Sequence, residues 1–256
     1  MKAVILAGGF GTRISEETGS RPKPMIEVGN VPLIHHLLSI FAKYGVNQFI
    51  ICCGYKGYII KDYFVNYLVH SADIKVSLGS NRVDVLNTKA PDWEITLVDT
   101  GLNSMTGERL RRVRSHLQND ERFFMTYGDG LANIDLNALL ATHIKENRKA
   151  TVTAVRPPGR FGALEIGSRN DVRNFIEKPL GDGGFINGGF FVLENSIFDY
   201  LEGLENPTWE NEPLKRLAAD KQLSCFLHEG FWMAMDTLRD KTLLDELALQ
   251  ADVPWL

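Results

Sequence analysis

Apolar positions along the chain follow two alternating rhythms. Lys2 to Ala7 is a short apolar run and reads as a buried strand. Leu33, Ile34, Leu37, Leu38, Phe41 and Tyr44 then recur at helical spacing and share one face. Phe49 to Cys53 predicts a second buried strand, closed by Gly54, and Ile59, Ile60, Tyr63, Phe64, Tyr67 and Leu68 repeat the helical rhythm. Arg122 to Tyr127 predicts a strand ended by Gly128. Leu136, Leu139, Leu140 and Ile144 predict a helix with Asp135 as its N-cap, and Ala150 to Val155 predicts a strand. Strands alternating with helices argue for a mostly parallel sheet covered on both faces.

The second half is less regular. Ala163 to Ile166, Val172 to Ile176 and Ile186 to Leu193 read as strands in quick succession, joined by short turns, which predicts antiparallel additions. Leu243, Leu244 and Leu247 belong to a closing helix. Residues 74–99 alternate apolar and polar side chains around Pro91 and read as an insertion with its own strands. No linker, low-complexity tract or internal repeat interrupts the chain. Residues 1–256 therefore read as one α/β domain with a small antiparallel elaboration.

Composition places this pattern in a globular protein. Of 256 residues, 44% are hydrophobic and 23% charged, which excludes disorder, coiled coil and collagen as the main state. Lys plus Arg is 28 against 32 Asp plus Glu, a net charge of -4, so the basic footprint of a nucleic-acid binder is missing. A local basic cluster can still take a small anion. Apolar runs such as Phe49–Cys53 and Phe190–Leu193 are far short of the ~20 residues of a membrane span. No membrane partner is expected, and the first apolar run meets Arg13 too soon to be a secretory signal. Cys52 and Cys53 are strand neighbours pointing to opposite faces, and with Cys225 they make no metal spacing. All three read as reduced core residues of a cytoplasmic protein.

Candidate chemistry follows the first strand directly, in Leu6-Ala7-Gly8-Gly9-Phe10-Gly11-Thr12-Arg13. Three glycines let the backbone approach a bulky anion and present its N–H groups. The planar fork of Arg13 suits phosphate oxygens. Neither G-x-x-x-x-G-K-[ST] nor G-x-G-x-x-G is present, and without Arg13 the stretch would read as a tight strand-to-loop turn. In Arg21-Pro22-Lys23-Pro24-Met25 two prolines fix the backbone around Lys23. Alone this is a surface loop; so close to Arg13, Lys23 becomes a candidate phosphate ligand.

Tyr127-Gly128-Asp129-Gly130 ends a predicted strand, at the edge where open α/β sheets bind ligands. Asp129 is either the acid of an Asp-Gly turn or a hard oxygen donor for Mg²⁺. Asp236, set beside the apolar Trp232–Met235, is the candidate second carboxylate. Glu177-Lys178-Pro179 and Asn187-Gly188-Gly189 offer a second cation and hydroxyl-binding groups, and equally read as a strand end and a turn. No Ser–His or Cys–His constellation argues for a covalent step.

The order LAGGFGTR, PKPM, GDG, EKP, NGG and a late Asp resembles the sugar-phosphate nucleotidyltransferases. That family joins a nucleoside triphosphate to a sugar 1-phosphate and releases pyrophosphate. Cys52–Gly57, Leu97–Gly101, Met105–Leu110, Pro157–Leu164 and Met235–Asp240 resemble its cytidylyl-transferring subgroup. The resemblance implies a nucleotide-diphospho-sugar transferase fold, which is a Rossmann-like, mostly parallel mixed sheet with helices on both faces. It also implies transfer of a cytidylyl group from CTP to α-D-glucose 1-phosphate, giving CDP-glucose.

Residue by residue, the resemblance implies that Leu6, Gly8, Gly9, Gly11, Thr12, Arg13, Lys23, Ser104, Arg109 and Gly128 hold the nucleotide. Arg13 would hold the departing pyrophosphate, and Lys23 would neutralise the phosphates around the reacting phosphorus. Asp129 and Asp236 would hold Mg²⁺, and Gly162, Glu177, Lys178 and Asn187 the sugar phosphate. The expected partners are CTP, glucose 1-phosphate and further copies of the chain in a homo-oligomer. Glu108 departs from the subgroup, which has a glycine there. The acid either offers an acceptor to the base or faces solvent at a helix start, where it suits the dipole. Asp99–Arg109 replaces the Gln- and Gly-rich stretch of thymidylyl and uridylyl relatives, which favours cytidine. A UTP- or dTTP-dependent enzyme of the same fold, or a non-catalytic nucleotide-binding relative, remains the alternative; the latter would be expected to lack Arg13, Lys23 or one aspartate.

Overall fold

A computed structural model describes residues 1–157, 163–166, 172–176 and 184–256. Its strands in the main sheet are β1 (Ala3–Leu6), β2 (Gln48–Cys53), β3 (Glu94–Asp99), β4 (Arg122–Tyr127), β5 (Ala150–Val155), β6 (Ile186–Glu194) and β7 (Leu223–His228). Among the described residues they form one sheet in the order β7-β5-β6-β4-β1-β2-β3. Neighbours are parallel except β6, which runs antiparallel to both β4 and β5.

Alternation along the buried strands feeds two cores. Ala3, Ile5, Phe49, Ile51 and Cys53 face one side; Val4, Leu6, Ile50 and Cys52 face the other. Helix α1 (Leu33–Ala42) covers the first side with the predicted apolar face, and Phe41 meets the rings of Phe49, Phe124 and Phe190. Emptying such a position costs about 3–5 kcal/mol. On the second side lie Leu110 of α3 (Thr106–Arg112), Phe198 and Trp209. Burial pushes the Cys53 thiol up to about 11, so it packs as a small apolar group.

The predicted helix over 59–68 is two helices, α2 (Gly57–Val65) and Tyr67–Ser71. Asn66 separates them, its side-chain amide donating to the Asp62 carbonyl and carboxylate, a local bond that competes with helix continuation. The 74–99 stretch divides in two. Asp73–Ser77 and Arg82–Asn87 pair as a separate antiparallel hairpin, whereas Glu94–Asp99 is an edge strand of the main sheet. An edge strand is half exposed and therefore alternates like an independent hairpin strand. Cys225, expected in the core, is exposed on the opposite edge strand. Ala163–Ile166 and Val172–Ile176 pair antiparallel. Helix α4 (Leu136–Glu146) starts at Asp135, whose carboxylate accepts from Ala138 N. No helix among the described residues is long and apolar enough to cross a membrane.

Topology fixes where a ligand goes. From β1 the chain builds outward through β2 to β3, then returns to place β4 on the other flank of β1. The loops leaving β1 and β4 therefore part at their carboxyl ends and leave a crevice between them.

Candidate active site

That crevice is a cavity of about 700 Å³. Its wall includes Leu6, Gly8, Gly9, Gly11, Thr12, Arg13, Lys23, Ser104, Arg109, Gly128, Asp129, Asn187 and Asp236. Thirteen candidates spread over most of the chain thus meet in one place. Gly162, Glu177 and Lys178 lie outside the described residues.

The glycines of the loop serve different ends. At Gly9 an added Cβ meets nothing within 4 Å, so bare backbone faces open space. Gly11 has φ +65°, a left-handed conformation that favours glycine. Gly128 lets Pro24 pass, whose Cγ would stand 2.9 Å from an added Cβ.

Lys23 begins a short 3₁₀ turn that Pro22 enters from extended backbone. The turn buries the lysine and points its ammonium at two acids. Nζ donates to Asp129 Oδ2 and to Asp236 Oδ1, each at 2.8 Å. Arg13 Nη1 donates to the other Asp236 oxygen at 3.1 Å while its side chain stays mostly exposed. Burial works to lower the Lys23 pKa, but the carboxylates, Asp129 foremost, outweigh it and hold it above the ordinary lysine value. Burial likewise works to raise Asp236, and Lys23 and Arg13 outweigh it, so its pKa is lowered. Lys23 thus pairs with both carboxylates at once.

The backbone brings the two aspartates together. Trp232–Ala234 pairs antiparallel with Gly130–Ala132, and Met235 N donates to Asp129 O at 2.9 Å. Asp236 then precedes helix α5 (Leu238–Ala248), which opens with a capping box between Thr237 and Asp240. Asp240 Oδ2 accepts from Asp236 N at 3.0 Å and from Thr237 N at 2.8 Å. Asp240→Ala is expected to cost about 1 kcal/mol of stability and to lower kcat by loosening Asp236; thermal unfolding and initial rates on one preparation check both.

Asp129 and Asp236 present hard oxygen donors of the kind that Mg²⁺ takes. Mg²⁺ is held by one or two carboxylates completed by water and substrate phosphates, not by an all-protein cage. Asp129 and Asp236 share one ammonium, and among the described residues no three or more His, Cys, Asp and Glu side chains are grouped so that they could hold a metal ion by themselves.

Glu108 lies in the first turn of α3, as the second expectation has it, but it does not face solvent. It is buried, ion-paired to Arg111 and Arg112, the latter at 2.8 Å, and it is not part of the cavity wall. Its arginine neighbours one turn along the helix take its two carboxylate oxygens.

Sequence reading missed a polar chain along the wall. Asn187 Nδ2 donates to Tyr127 Oη at 3.2 Å, Glu210 lies close enough to act on the Tyr127 phenol, and Thr106 Oγ1 donates to Glu210 Oε2 at 2.6 Å. Burial, reinforced by Glu210, holds the Tyr127 phenol well above its ordinary pKa. Tyr127, Thr106, Glu210 and Trp232 all line the cavity. Trp232 Nε1 donates to Gly188 O at 2.7 Å. The signal for Tyr127 was its place two residues before Asp129 at a strand end. Glu210 had none, since it joins the site only through folding.

A cavity with a glycine loop, two basic clamps and two carboxylates at this edge of the sheet belongs to an enzyme class that handles phosphorylated nucleotides. The model of the family described as "Nucleotidyl transferase" matches residues 2–240, and the chain belongs to that family. The glucose-1-phosphate cytidylyltransferase of Salmonella typhi is 51% identical over 255 residues, covering 100% of this chain and 98% of that protein. Mannose-1-phosphate guanylyltransferase catalytic subunit beta of Dictyostelium discoideum is 32% identical over 245 residues, 94% of this chain and 62% of that protein. The crystal structure of HddC from Yersinia pseudotuberculosis matches with a TM-score of 0.67 at 20% identity, covering 96% of this chain and 98% of that one. With such neighbours the architecture is the nucleotide-diphospho-sugar transferase fold.

Proposed function

We propose that the protein is a glucose-1-phosphate cytidylyltransferase, transferring a cytidylyl group from CTP to α-D-glucose 1-phosphate with release of pyrophosphate. The observation that carries this reading is 51% identity along the whole chain with the Salmonella typhi enzyme of that name. The convergence of Arg13, Lys23, Asp129 and Asp236 at one cavity agrees with it. Asp129 and Asp236 would hold Mg²⁺, which would supply charge for the polyanion and orient the reacting phosphate.

The rest of the chemistry falls to the chain itself. The glycine-loop N–H groups bind the triphosphate. Arg13, at the cavity mouth, holds the departing pyrophosphate. Lys23 leaves the carboxylates to neutralise the phosphates when they arrive. A sugar phosphate is already ionised near pH 7 and needs no general base; it needs a position in line with the α-phosphorus. Asn187, with Glu177, Lys178 and Gly162, would hold the sugar phosphate. Release of pyrophosphate only when CTP and glucose 1-phosphate are both present, with CDP-glucose found by mass, is the expected result. Pyrophosphate release without the sugar phosphate, or none with CTP, would sink the reading.

A homo-oligomer and a cytoplasmic setting belong to the same proposal. Ile74 and Val76 stand opposite Val85 and Val83 on the separate hairpin, and all four are exposed. An isolated two-stranded hairpin with an apolar face is stabilised by being covered, and a second copy offers the same face. Val76→Asp is expected to lower the sedimentation coefficient; an unchanged coefficient would mean that this face is not the interface. The buried thiols of Cys52 and Cys53 suit a reducing compartment.

A further inference from the structure

A buried cation in the cavity wall holds the glycine loop. Arg109 is 3% exposed. Its Nη2 donates to Gly8 O at 2.8 Å and to Leu102 O at 3.2 Å. Its Nη1 donates to Gly101 O at 2.8 Å, Thr100 Oγ1 at 2.9 Å and Cys53 O at 3.3 Å. These acceptors lie at or just past the carboxyl ends of β1, β2 and β3, where the parallel ladder stops and the strands part. A planar guanidinium reaches the three ends from two nitrogens held in a rigid fork; an ammonium would have to reach all of them from a single atom. None of the five acceptors is a carboxylate, so the guanidinium is solvated by backbone and hydroxyl dipoles, with the Asp99 carboxylate acting on it only at longer range. The guanidinium adds to the field that a polyanion meets in the cavity.

The bond to Gly8 has a geometric consequence. Gly8 O also accepts from Tyr55 N at 3.1 Å, so both of its lone pairs point into the protein. In a planar trans peptide the carbonyl and the following N–H point in opposite directions. Fixing Gly8 O inward therefore turns the Gly9 N–H outward, on a residue whose backbone borders open space in the cavity wall. The same guanidinium fills the space beside two glycines, at Gly54 together with the Gly8 carbonyl, which would stand 2.6 Å from an added Cβ. A Cβ on Gly8 would stand 2.1 Å from Arg109 Nη1, and one on Gly54 2.4 Å from it.

We propose that Arg109 is a positioning residue that acts through the Gly8 peptide, aiming the Gly9 N–H at the triphosphate, and that it does not read the base. The inference deepens the CTP-dependent reading and rests on it for its substrate. It is tested with Arg109→Lys and Arg109→Ala, assayed with CTP and with UTP beside the parent protein, and with guanidinium ion added to the alanine variant. The expected loss in kcat/KM is on the order of 100-fold for both triphosphates, the cost of a displacement of about 1 Å. The CTP-to-UTP ratio is expected to stay at the parent value. KM for CTP is expected to rise while KM for glucose 1-phosphate holds, and guanidinium is expected to restore part of the loss.

A collapse of the ratio would show Arg109 reading the base and overturn the proposal. A fall in kcat with both KM values unchanged would mark a merely structural role and overturn it as well. If the alanine variant does not fold, the lysine variant, which keeps the charge but loses the fork, decides between the same outcomes. A parent protein without CTP preference would defeat the functional reading alone, and equal losses on both triphosphates would still support the role of Arg109.

Discussion

Asp129→Asn is expected to lower kcat by on the order of 10³-fold, the scale of losing a preorganised charge at a reacting centre, with the fold intact. Asp129 is only partly buried, and its structural partner is Lys23, which keeps Asp236 at 2.8 Å when Asp129 is neutral. The loss therefore belongs to charge and not to packing. The pair also makes a statement about order of binding. One ammonium lies within hydrogen-bond distance of both carboxylates, so a divalent cation entering alone competes with a resident positive charge. Lys23→Met is expected to bind Mn²⁺ more tightly than the parent in the absence of nucleotide while losing catalysis, a divergence that titration by electron paramagnetic resonance reads directly. Asp129→Asn with ordinary kcat at ordinary Mg²⁺ would remove Asp129 from the metal site. Weaker Mn²⁺ binding in Lys23→Met would remove the competition.

The main sheet was legible because its central strands are buried on both faces and so read as unbroken apolar runs, Ala3–Leu6 and Gln48–Cys53 above all. Alternation over 74–99 predicts an insertion that includes Glu94–Asp99, because an edge strand keeps one polar side and alternation alone does not say which sheet it joins. The acid pair was legible from the class of each residue and its setting. Asp129 ends a strand before a glycine, and Asp236 follows an apolar stretch. What brings them together, the backbone pairing of Trp232–Ala234 with Gly130–Ala132, leaves no local mark. Gly8 was read for what its bare backbone offers a ligand, whereas the space its missing Cβ leaves is filled by Arg109. A glycine in a sequence says that a side chain is missing and not on which side the room is needed. Glu210 and Thr106 meet from 104 positions apart, a separation over which no spacing rule operates.

CTP is expected to exceed UTP in kcat/KM by about 10³- to 10⁴-fold, with dTTP lower still. Cytosine and uracil differ at position 4, an amino donor against a carbonyl acceptor. A wall that presents an acceptor there bonds to cytosine and faces a repelling lone pair in uracil. Discrimination of about 10⁴-fold is within reach when the wrong base leaves a buried polar group unpaired, well beyond what one methyl allows. Thymidine adds the methyl and removes the 2′-hydroxyl, so its losses compound. Glu108 is expected not to be that acceptor, since its carboxylate pairs with Arg111 and Arg112 and lines an adjoining cavity, not this one. Glu108→Gly is therefore expected to leave the CTP-to-UTP ratio unchanged. Its cost should fall on stability, because two arginines lose their partner and a helix gains a glycine, worth about 1 kcal/mol on its own. Thermal unfolding measured beside the two specificity constants separates these effects. A ratio that falls with Glu108→Gly would return the acid to the base pocket. Comparable constants for CTP and UTP in the parent protein would reduce the assignment to the family alone.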